Sequence, residues 1–269
     1  MTQIPIMNTK GTATGKANLP VQFSEPVRPD LIKRAVEAVW NNNRQPYGTD
    51  PRAGKRASAK VSRRRHNYRG SYGQGLSRVP RKVMSHNGTQ FAFMGAFAPG
   101  TVKGYRAHPP KAFKIWDHKI NRKERTKALR SALAATMQPA FVEKRGHKPP
   151  KQYPFILAED AEATDKTQDV HAFLMALGFE QELARSSEKS IRAGKGKTRG
   201  RPYKKRKGPL IVVSGQCKLW NAARNIPGLD VCDVHRLDAD QLAPGAVPGR
   251  LTLFTSQALA ILAKEELFT

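Results

Sequence analysis

The sequence predicts an α/β fold: an open, mainly parallel sheet covered by helices on both faces, with a long basic extended loop inserted after the first helix. Three observations carry that expectation. Beyond Gly208, short continuous apolar runs alternate with helical stretches, the pattern of strands buried on both faces. Near the start, an amphipathic helix ends at a run of asparagines. From about Arg44 to Asp117 no hydrophobic period of helix or strand type persists, and regular patterning resumes only after it. The expected plan is one α/β globular domain over residues 1–269, with residues 44–117 as an insertion inside it.

In order, Gln3 to Thr9 and Asn18 to Phe23 read as two short strands around the turn Lys10-Gly11-Thr12. Pro29 suits a first helical position, and Asp30 lies in the first turn, where the helix dipole favours an anion. Ile32, Ala35, Val36, Val39 and Trp40 follow a 3.6-residue spacing, and Asn41 to Asn43 offer a left-handed end. After the basic stretch, Ile120, Leu129, Leu133 and Met137 form a stripe widened by Ala128, Ala132 and Ala135. Its other faces carry Arg122, Lys123, Arg125, Lys127 and Arg130. Arg145 to Pro154 reads as a connector and Phe155 to Ala158 as a buried strand. Val170, Phe173, Leu174 and Leu177 then predict a helix closed by Gly178. Strands are expected at Leu210 to Val213, Asp230 to Val234 and Leu251 to Phe254. Helices are expected at Lys218 to Arg224, Asp238 to Leu242 and around Leu259, Leu262, Ala263 and Leu267.

Charge narrows the function class. The chain has 48 Lys and Arg against 21 Asp and Glu, a net charge of +27. Neutralising closely spaced phosphates calls for such an imbalance, whereas a solvated surface mixes both signs. Between Arg52 and Trp116 there is no acid at all, but fifteen Lys or Arg, eight aromatics and eight Gly. This composition is expected to stay open in water and to need a polyanion to order it. With arms of ~30 residues it would reach tens of Å, up to roughly 100 Å, into a large RNA. A second basic run covers Arg185 to Lys207. The basic stretch shows no amphipathic helical face for a membrane surface, and no apolar run approaches the ~20 residues that span a bilayer. No export signal is visible at Met1-Thr2-Gln3-Ile4-Pro5, and two cysteines, Cys217 and Cys232, make no disulfide framework.

Chemistry that would make this an enzyme is hard to assemble. Gly196-Lys197-Thr198 lacks the earlier Gly of a phosphate loop, because Ile191 stands there and no strand precedes it. Gly73-Gln74-Gly75 is weaker still as a dinucleotide fingerprint. Cys232 and His235 have ligand-like spacing without a second pair, and Cys232 reads better as a small buried strand residue. The acids Glu159, Asp160, Glu162, Asp165 and Asp169 cluster near a helix start, where carboxylates cap, and mark a face turned away from phosphate. No metal site and no catalytic set is selected.

Arg offers two-pronged contacts to phosphate and a plane that stacks on bases. The expected RNA-binding residues are Lys55, Arg56, Lys60, Arg63, Arg64, Arg65, Arg69, Arg78, Arg81, Lys82, Lys103 and Arg106. From the second run come Arg192, Lys195, Lys197, Arg199, Arg201, Lys204, Lys205, Arg206 and Lys207. Tyr68, Tyr72, Phe91 and Phe93 are expected to stack on unpaired bases, while Phe113 and Trp116 fasten the loop base to the core.

Several stretches resemble one family: Tyr72-Gly73-Gln74-Gly75-Leu76-Ser77-Arg78-Val79-Pro80-Arg81, Ile120 to Arg125, Leu129 to Thr136, Arg192 to Leu210, Ala223 to Gly228, Leu242 to Gly245 and Gly249 to Thr252. Together they resemble the universally distributed fourth protein of the large ribosomal subunit, in its archaeal and eukaryotic form, over nearly the whole chain. The resemblance implies a cytoplasmic, non-enzymatic constituent of that subunit. It implies an α/β domain on the subunit surface and a loop threading ribosomal RNA to the constriction of the nascent-peptide exit tunnel. Partners implied are the large-subunit RNA, neighbouring large-subunit proteins including the other constriction protein, and the nascent peptide. No cofactor is expected beyond Mg2+ bridging to RNA. Mapped by motif, Tyr72 to Lys82 would lie near the tip, with Tyr72, Gly73, Gln74, Gly75, Arg78 and Arg81 as its candidates. Here Val83 to Gly88 stands where eukaryotic members often have a Gly-rich continuation, and the lack of a long basic C-terminal extension favours an archaeal-sized member. The alternatives are an RNA-modifying enzyme of methyltransferase type on the same sheet class, and a chromatin or DNA-packaging protein.

Overall fold

The computed structural model describes residues 3–269. The chain divides into two compact units: Arg44–Trp116, and the segments before and after it taken together. The elements are β1 (Gln3–Met7), β2 (Ala13–Asn18), α1 (Pro29–Asn42), β3 (Arg81–Asn87), β4 (Gln90–Gly95), α2 (Arg122–Thr136), α3 (Pro139–Lys144), β5 (Ile156–Leu157) and α4 (Thr167–Ala176). They continue with α5 (Glu180–Ser187), β6 (Lys189–Ile191), β7 (Tyr203–Lys205), β8 (Leu210–Val213), α6 (Lys218–Ala223), β9 (Asp230–Asp233), α7 (Ala239–Leu242), β10 (Thr252–Thr255) and α8 (Ser256–Lys264).

The larger unit is built on a six-stranded sheet in the order β2-β1-β5-β10-β8-β9. Only β1 and β2 pair antiparallel; the other neighbours are parallel. Every residue of β8 and β10 is buried, so both faces of the sheet centre are covered. A mixed, mainly parallel sheet with helices is therefore the observed class. Helices α1, α2 and α7 pack on one another, α8 packs on β8 and β10, and α6 packs on β9. Phe254 of β10 meets Phe23 edge-on at 5.3 Å, and Phe155 meets Phe179 at 6.0 Å, in the geometry aromatic quadrupoles favour.

Several expectations shift. The second strand is Ala13–Asn18, not Asn18 to Phe23, because a tight turn pairs β1 with the residues directly after it; Val21–Phe23 forms a 3-10 turn after Pro20. In α1, Ile32, Ala35 and Val36 are buried as the period requires, but Trp40 is 47% exposed and donates its indole N–H to Asp240 at 2.8 Å. Asn43 ends that helix at φ −81°, so no left-handed residue closes it. Regular structure resumes at Arg122 instead of Asp117, and α3 precedes the expected connector, started by Pro139. In α8, Leu259 and Leu262 are buried, Ala263 is exposed, and Leu267 is half-buried beyond the helix end. Among the described residues no helix is long and apolar enough to cross a membrane.

Buried polar groups lock the sheet. Glu162, in the 3-10 turn Glu159–Ala163, is buried and accepts from the Ser214 amide at 3.0 Å, the Ser214 hydroxyl at 2.6 Å and the Thr255 hydroxyl at 2.5 Å. One member of the expected acidic face thus clamps the carboxyl ends of β8 and β10. Arg250, 1% exposed, donates to Gly208 O at 3.0 Å, Gln241 O at 3.0 Å and the Asp230 carboxylate at 2.5 Å.

The smaller unit corrects the expectation of a stretch without strand pattern. Strands β3 and β4 pair antiparallel around the two-residue turn Gly88-Thr89, with Gly88 at φ +53°, where a side chain would be strained. Val83, Phe91 and Phe93 share the half-buried side, and Lys82, Met84 and Met94 the exposed one. The alternation is real but short, and it is broken by a register irregularity between Val83 and Ser85. Lys60 and Arg81 exchange backbone hydrogen bonds at 3.1 and 3.2 Å, adding a bridge to the hairpin. At the ends of the unit, the Arg44 guanidinium lies 4.1 Å from the Trp116 ring, Lys114 lies 4.3 Å from it, and Tyr47 stacks on it at 5.7 Å. Trp116 thus ties the ends of its own unit together. Phe113, expected to fasten the loop to the core, is 75% exposed.

Replacing Arg250 with Met leaves Asp230 with Lys207 alone and removes the Arg250 donor from the Gly208 and Gln241 carbonyls, and should lower unfolding stability by about 3 kcal/mol. Urea denaturation of the two proteins checks this, and a difference under about 1 kcal/mol would show that the buried guanidinium is not holding the sheet.

Candidate nucleic-acid interface

In the smaller unit sixteen Lys or Arg face a single carboxylate, Asp50, which is paired with Arg56. Lys55, Lys60, Arg63, Arg64, Arg65, Arg69, Lys82, Lys103 and Arg106 are exposed and form no ion pair among the described residues. Three expected RNA contacts have other employment here. Arg81 is half-buried and donates to the Ser77 carbonyl and hydroxyl at 2.5 and 2.9 Å, and Arg56 holds Asp50. Arg78 donates to the Tyr72 hydroxyl at 3.0 Å and lies 5.1 Å from its ring centre.

The aromatics separate into two kinds. Phe91 packs on Phe93 at 5.8 Å and takes Tyr68 edge-on at 5.1 Å, so both phenylalanines are half-buried in the hairpin. Tyr68 and Tyr72 remain 60% and 39% exposed. They line a hollow of about 540 Å³ together with Arg64, Arg65 and Arg69. His66 and Arg69 in its wall adopt φ +54° and +63°, a strained conformation for side chains of their size. Gly73 and Gly75 also have positive φ, and nothing lies within 4 Å of where a side chain would start. Their backbone is open to close approach.

The second basic run is a hairpin, β6 and β7, with Ile191 opposite Tyr203. Arg192 stabilises its neck by donating to Arg201 O at 3.0 Å and Tyr203 O at 3.2 Å. Lys195, Lys197, Arg199 and Arg201 occupy the exposed loop, and Gly196-Lys197-Thr198 lies there between antiparallel strands, away from any strand-to-helix turn. Lys204 and Lys205 are exposed and unpaired among the described residues, whereas Arg206 pairs with Glu188 at 3.1 Å and Lys207 with Asp230 at 2.9 Å.

Beside this hairpin lies a groove of about 1080 Å³, lined also by the end of α3, the end of α5 and the turn Pro244 to Val247. Sequence reasoning placed Arg185 and Lys189 in the second basic run without naming them as contacts, and missed Lys144 and Arg145, because they sit on a separate element that only folding brings beside the hairpin. At its side Glu182 is fully buried and accepts from His147 Nδ1 at 2.6 Å, Arg185 at 2.6 and 2.8 Å and the Lys148 amide at 2.9 Å. Burial pushes the Glu182 carboxyl up, but the hydrogen bonds from Arg185, His147 and Lys148 outweigh it and hold the group down at about 2. Burial likewise keeps His147 below its ordinary value, against the pull of Glu182.

Strand β8 leads into Ser214-Gly215-Gln216-Cys217, which lacks the Gly-rich turn a dinucleotide-like cofactor needs. Cys232 is buried in β9, with its thiol on the Gln241 side-chain oxygen at 2.8 Å.

Residues 17–265 match the family model described as ribosomal protein L4/L1 family. The chain belongs to that family. It is 47% identical over 267 residues to the large ribosomal subunit protein uL4 of Nanoarchaeum equitans, covering 99% of both chains. The protein of the same name from Methanopyrus kandleri is 44% identical over 264 residues, covering 97% of both. That of Methanosphaera stadtmanae is 40% identical over 262 residues, covering 96% of this chain and 95% of its own. The resemblance read from the motifs is therefore sound, and the archaeal size agrees with these relatives.

Glu182 binds its proton less tightly in the fold than in the unfolded chain. Its contribution to stability is therefore complete above its ordinary value of 4.5 and fades as pH falls towards about 2. Acid unfolding should steepen across that window, and Glu182→Gln should be less stable at neutral pH with a flatter acid limb. Parallel limbs for the two proteins would contradict the assignment.

Proposed function

We propose that this protein is a structural constituent of the large ribosomal subunit and binds its RNA through two cationic surfaces. The segment Arg44–Trp116 threads that RNA, with Tyr72 to Lys82 near its far end facing the nascent-peptide exit tunnel. The hairpin β6–β7 anchors the α/β unit to RNA at the surface. The observation that carries the reading is the set of exposed cations left without ion pairs on both surfaces, in a chain of a ribosomal family. Cations held close together in water repel, and a row of phosphates removes the repulsion and releases its own counterions. Tyr68 and Tyr72 supply faces for unpaired bases, and Gly73 and Gly75 let backbone approach them. Mg2+ bridging RNA phosphates to the chain, neighbouring large-subunit proteins and the emerging peptide complete the proposed surroundings. The protein carries no reaction of its own.

The full-length protein should bind transcribed large-subunit ribosomal RNA more tightly than duplex DNA of equal length at fixed salt. Changing Arg63, Arg64 and Arg65 together to Gln should make the salt dependence shallower by about 2, at ~0.7 per lost contact with an unpaired strand. Equal affinity for duplex DNA, or an unchanged slope in the triple variant, would sink the proposal.

A further inference from the structure

One face of the α/β unit reverses the charge of the rest. From Glu159 to Ala184 seven acids stand against one cation, Lys166, in a chain whose net charge is +27. Glu162 and Glu182 are buried and hydrogen-bonded. Glu159, Asp160, Asp165, Asp169 and Glu180 are exposed and form no ion pair among the described residues. The exposed cations of this neighbourhood, Lys166 and Arg224, are outnumbered.

An apolar groove runs through this face. Two hollows of about 270 and 480 Å³ share His171, Ile226 and Pro227, between α4 and the turn that follows α6. Val170, Phe173 and Leu174 take the buried side of α4, which leaves Ala172 and Met175 on the outer side, at the groove. Met175 is 39% exposed, and Leu183 and Ala184 of α5 continue the same wall with Glu180. The walls present mainly carbon. They are also fixed: Ser186 donates to Pro227 O at 3.0 Å, and a side chain at Gly228 would collide with Ser186. A groove already formed asks little further ordering of a ligand's seat.

We infer that this face docks a cationic segment of another protein, its Lys or Arg meeting Asp165, Asp169 and Glu180 and an aliphatic side chain filling the hollow between Met175 and Pro227. At physiological salt charges are screened within about 8 Å, so the local acids, and not the charge of the whole chain, decide what approaches. Phosphates would meet five carboxylates that no cation offsets. A polypeptide with Lys or Arg around an aliphatic residue supplies both the charge and the apolar group that this face lacks. Neither cationic surface takes part, so RNA binding and this docking hold or fail separately.

Fluorescence anisotropy of a labelled peptide, Lys residues around a central Leu, titrated with the full-length protein free of RNA, tests this. The peptide should bind, and its counterpart with Ser in place of Leu should bind about tenfold more weakly. Asp169→Asn together with Glu180→Gln should weaken the Leu peptide about fivefold and reduce its salt dependence. Met175→Glu adds an acid to the face, so attraction by charge alone would tighten binding. Docking in the groove requires the reverse, because the Leu loses its seat. Ala184→Glu, on the neighbouring helix, makes the same distinction if Met175→Glu does not fold. No binding of the Leu peptide would overturn the inference, as would equal binding of the Leu and Ser peptides or tighter binding by folded Met175→Glu. So would a concentration-dependent dimer in sedimentation that Met175→Glu abolishes, since the occupant would then be a second copy. Affinity for transcribed large-subunit ribosomal RNA should be unchanged in Met175→Glu and Ala184→Glu, and a loss there matching the loss of peptide would put RNA on this face instead.

Discussion

In a chain with 48 cations and 21 carboxylates, several of the acids of the α/β unit are taken up in holding structure together. Glu162 clamps the ends of β8 and β10, Asp230 receives the buried Arg250, and Glu182 fastens α5 to the segment after α3. Glu25 gathers Arg130 and Lys127, and Asp238 takes Arg125 while forming the capping box of α7. Acids used internally cannot neutralise the outer cations. The basic surfaces are thus a consequence of how the carboxylates are distributed as much as of how many cations there are.

The two cationic surfaces are built differently. In the α/β unit the hairpin β6–β7 is a separate two-stranded sheet between α5 and β8, and hydrogen bonds from Arg185 and Arg250 to Lys207 O and Gly208 O fix the chain where it leaves the hairpin. In the smaller unit, one hairpin, the backbone bridges Lys60–Arg81 and Ser62–Gly70, and the Arg44, Tyr47 and Trp116 stack provide the order. Fixing a residue's backbone costs about 1–2 kcal/mol. Residues already paired in β3 and β4 carry less of that cost on meeting a ligand than the stretches on either side of them.

Most of the α/β unit was legible in the sequence because its signals are local. A 3.6-residue period places Ile32, Ala35 and Val36 in the core, and the run Leu210 to Val213 fits only a strand covered on both faces. What escaped was tertiary. Trp40 continues the apolar period yet lies outward because Asp240, on α7, offers its indole an acceptor. Lys144 and Arg145 look like ordinary surface cations until folding brings the end of α3 to one groove with the second basic run. In the smaller unit, the short alternation at Phe91 and Phe93 is diluted by Gly and cations, so its hairpin was hidden. The cation positions were legible; which of them remain free was not, since the acceptors of Arg81 and Arg192 are backbone carbonyls and hydroxyls without a sequence signature.

That distinction changes how the candidate residues divide. A cation that already serves a carbonyl or carboxylate must break or share that contact before it serves phosphate, whereas an exposed one has only water to lose. Arg78 and Arg81 sit within the Tyr72 to Arg81 stretch that helps carry the family resemblance, yet Arg78 braces Tyr72 and Arg81 braces Ser77. Their nearest effect on a ligand is then through the ring and the turn they hold. Arg63, Arg64 and Arg65, with no such engagement by ion pair, are the ones whose charge is available directly. Conserving charge alone at Arg78 by Lys would keep the electrostatics and lose a hydrogen bond and a stacked plane, which places shape beside charge as a requirement of this surface.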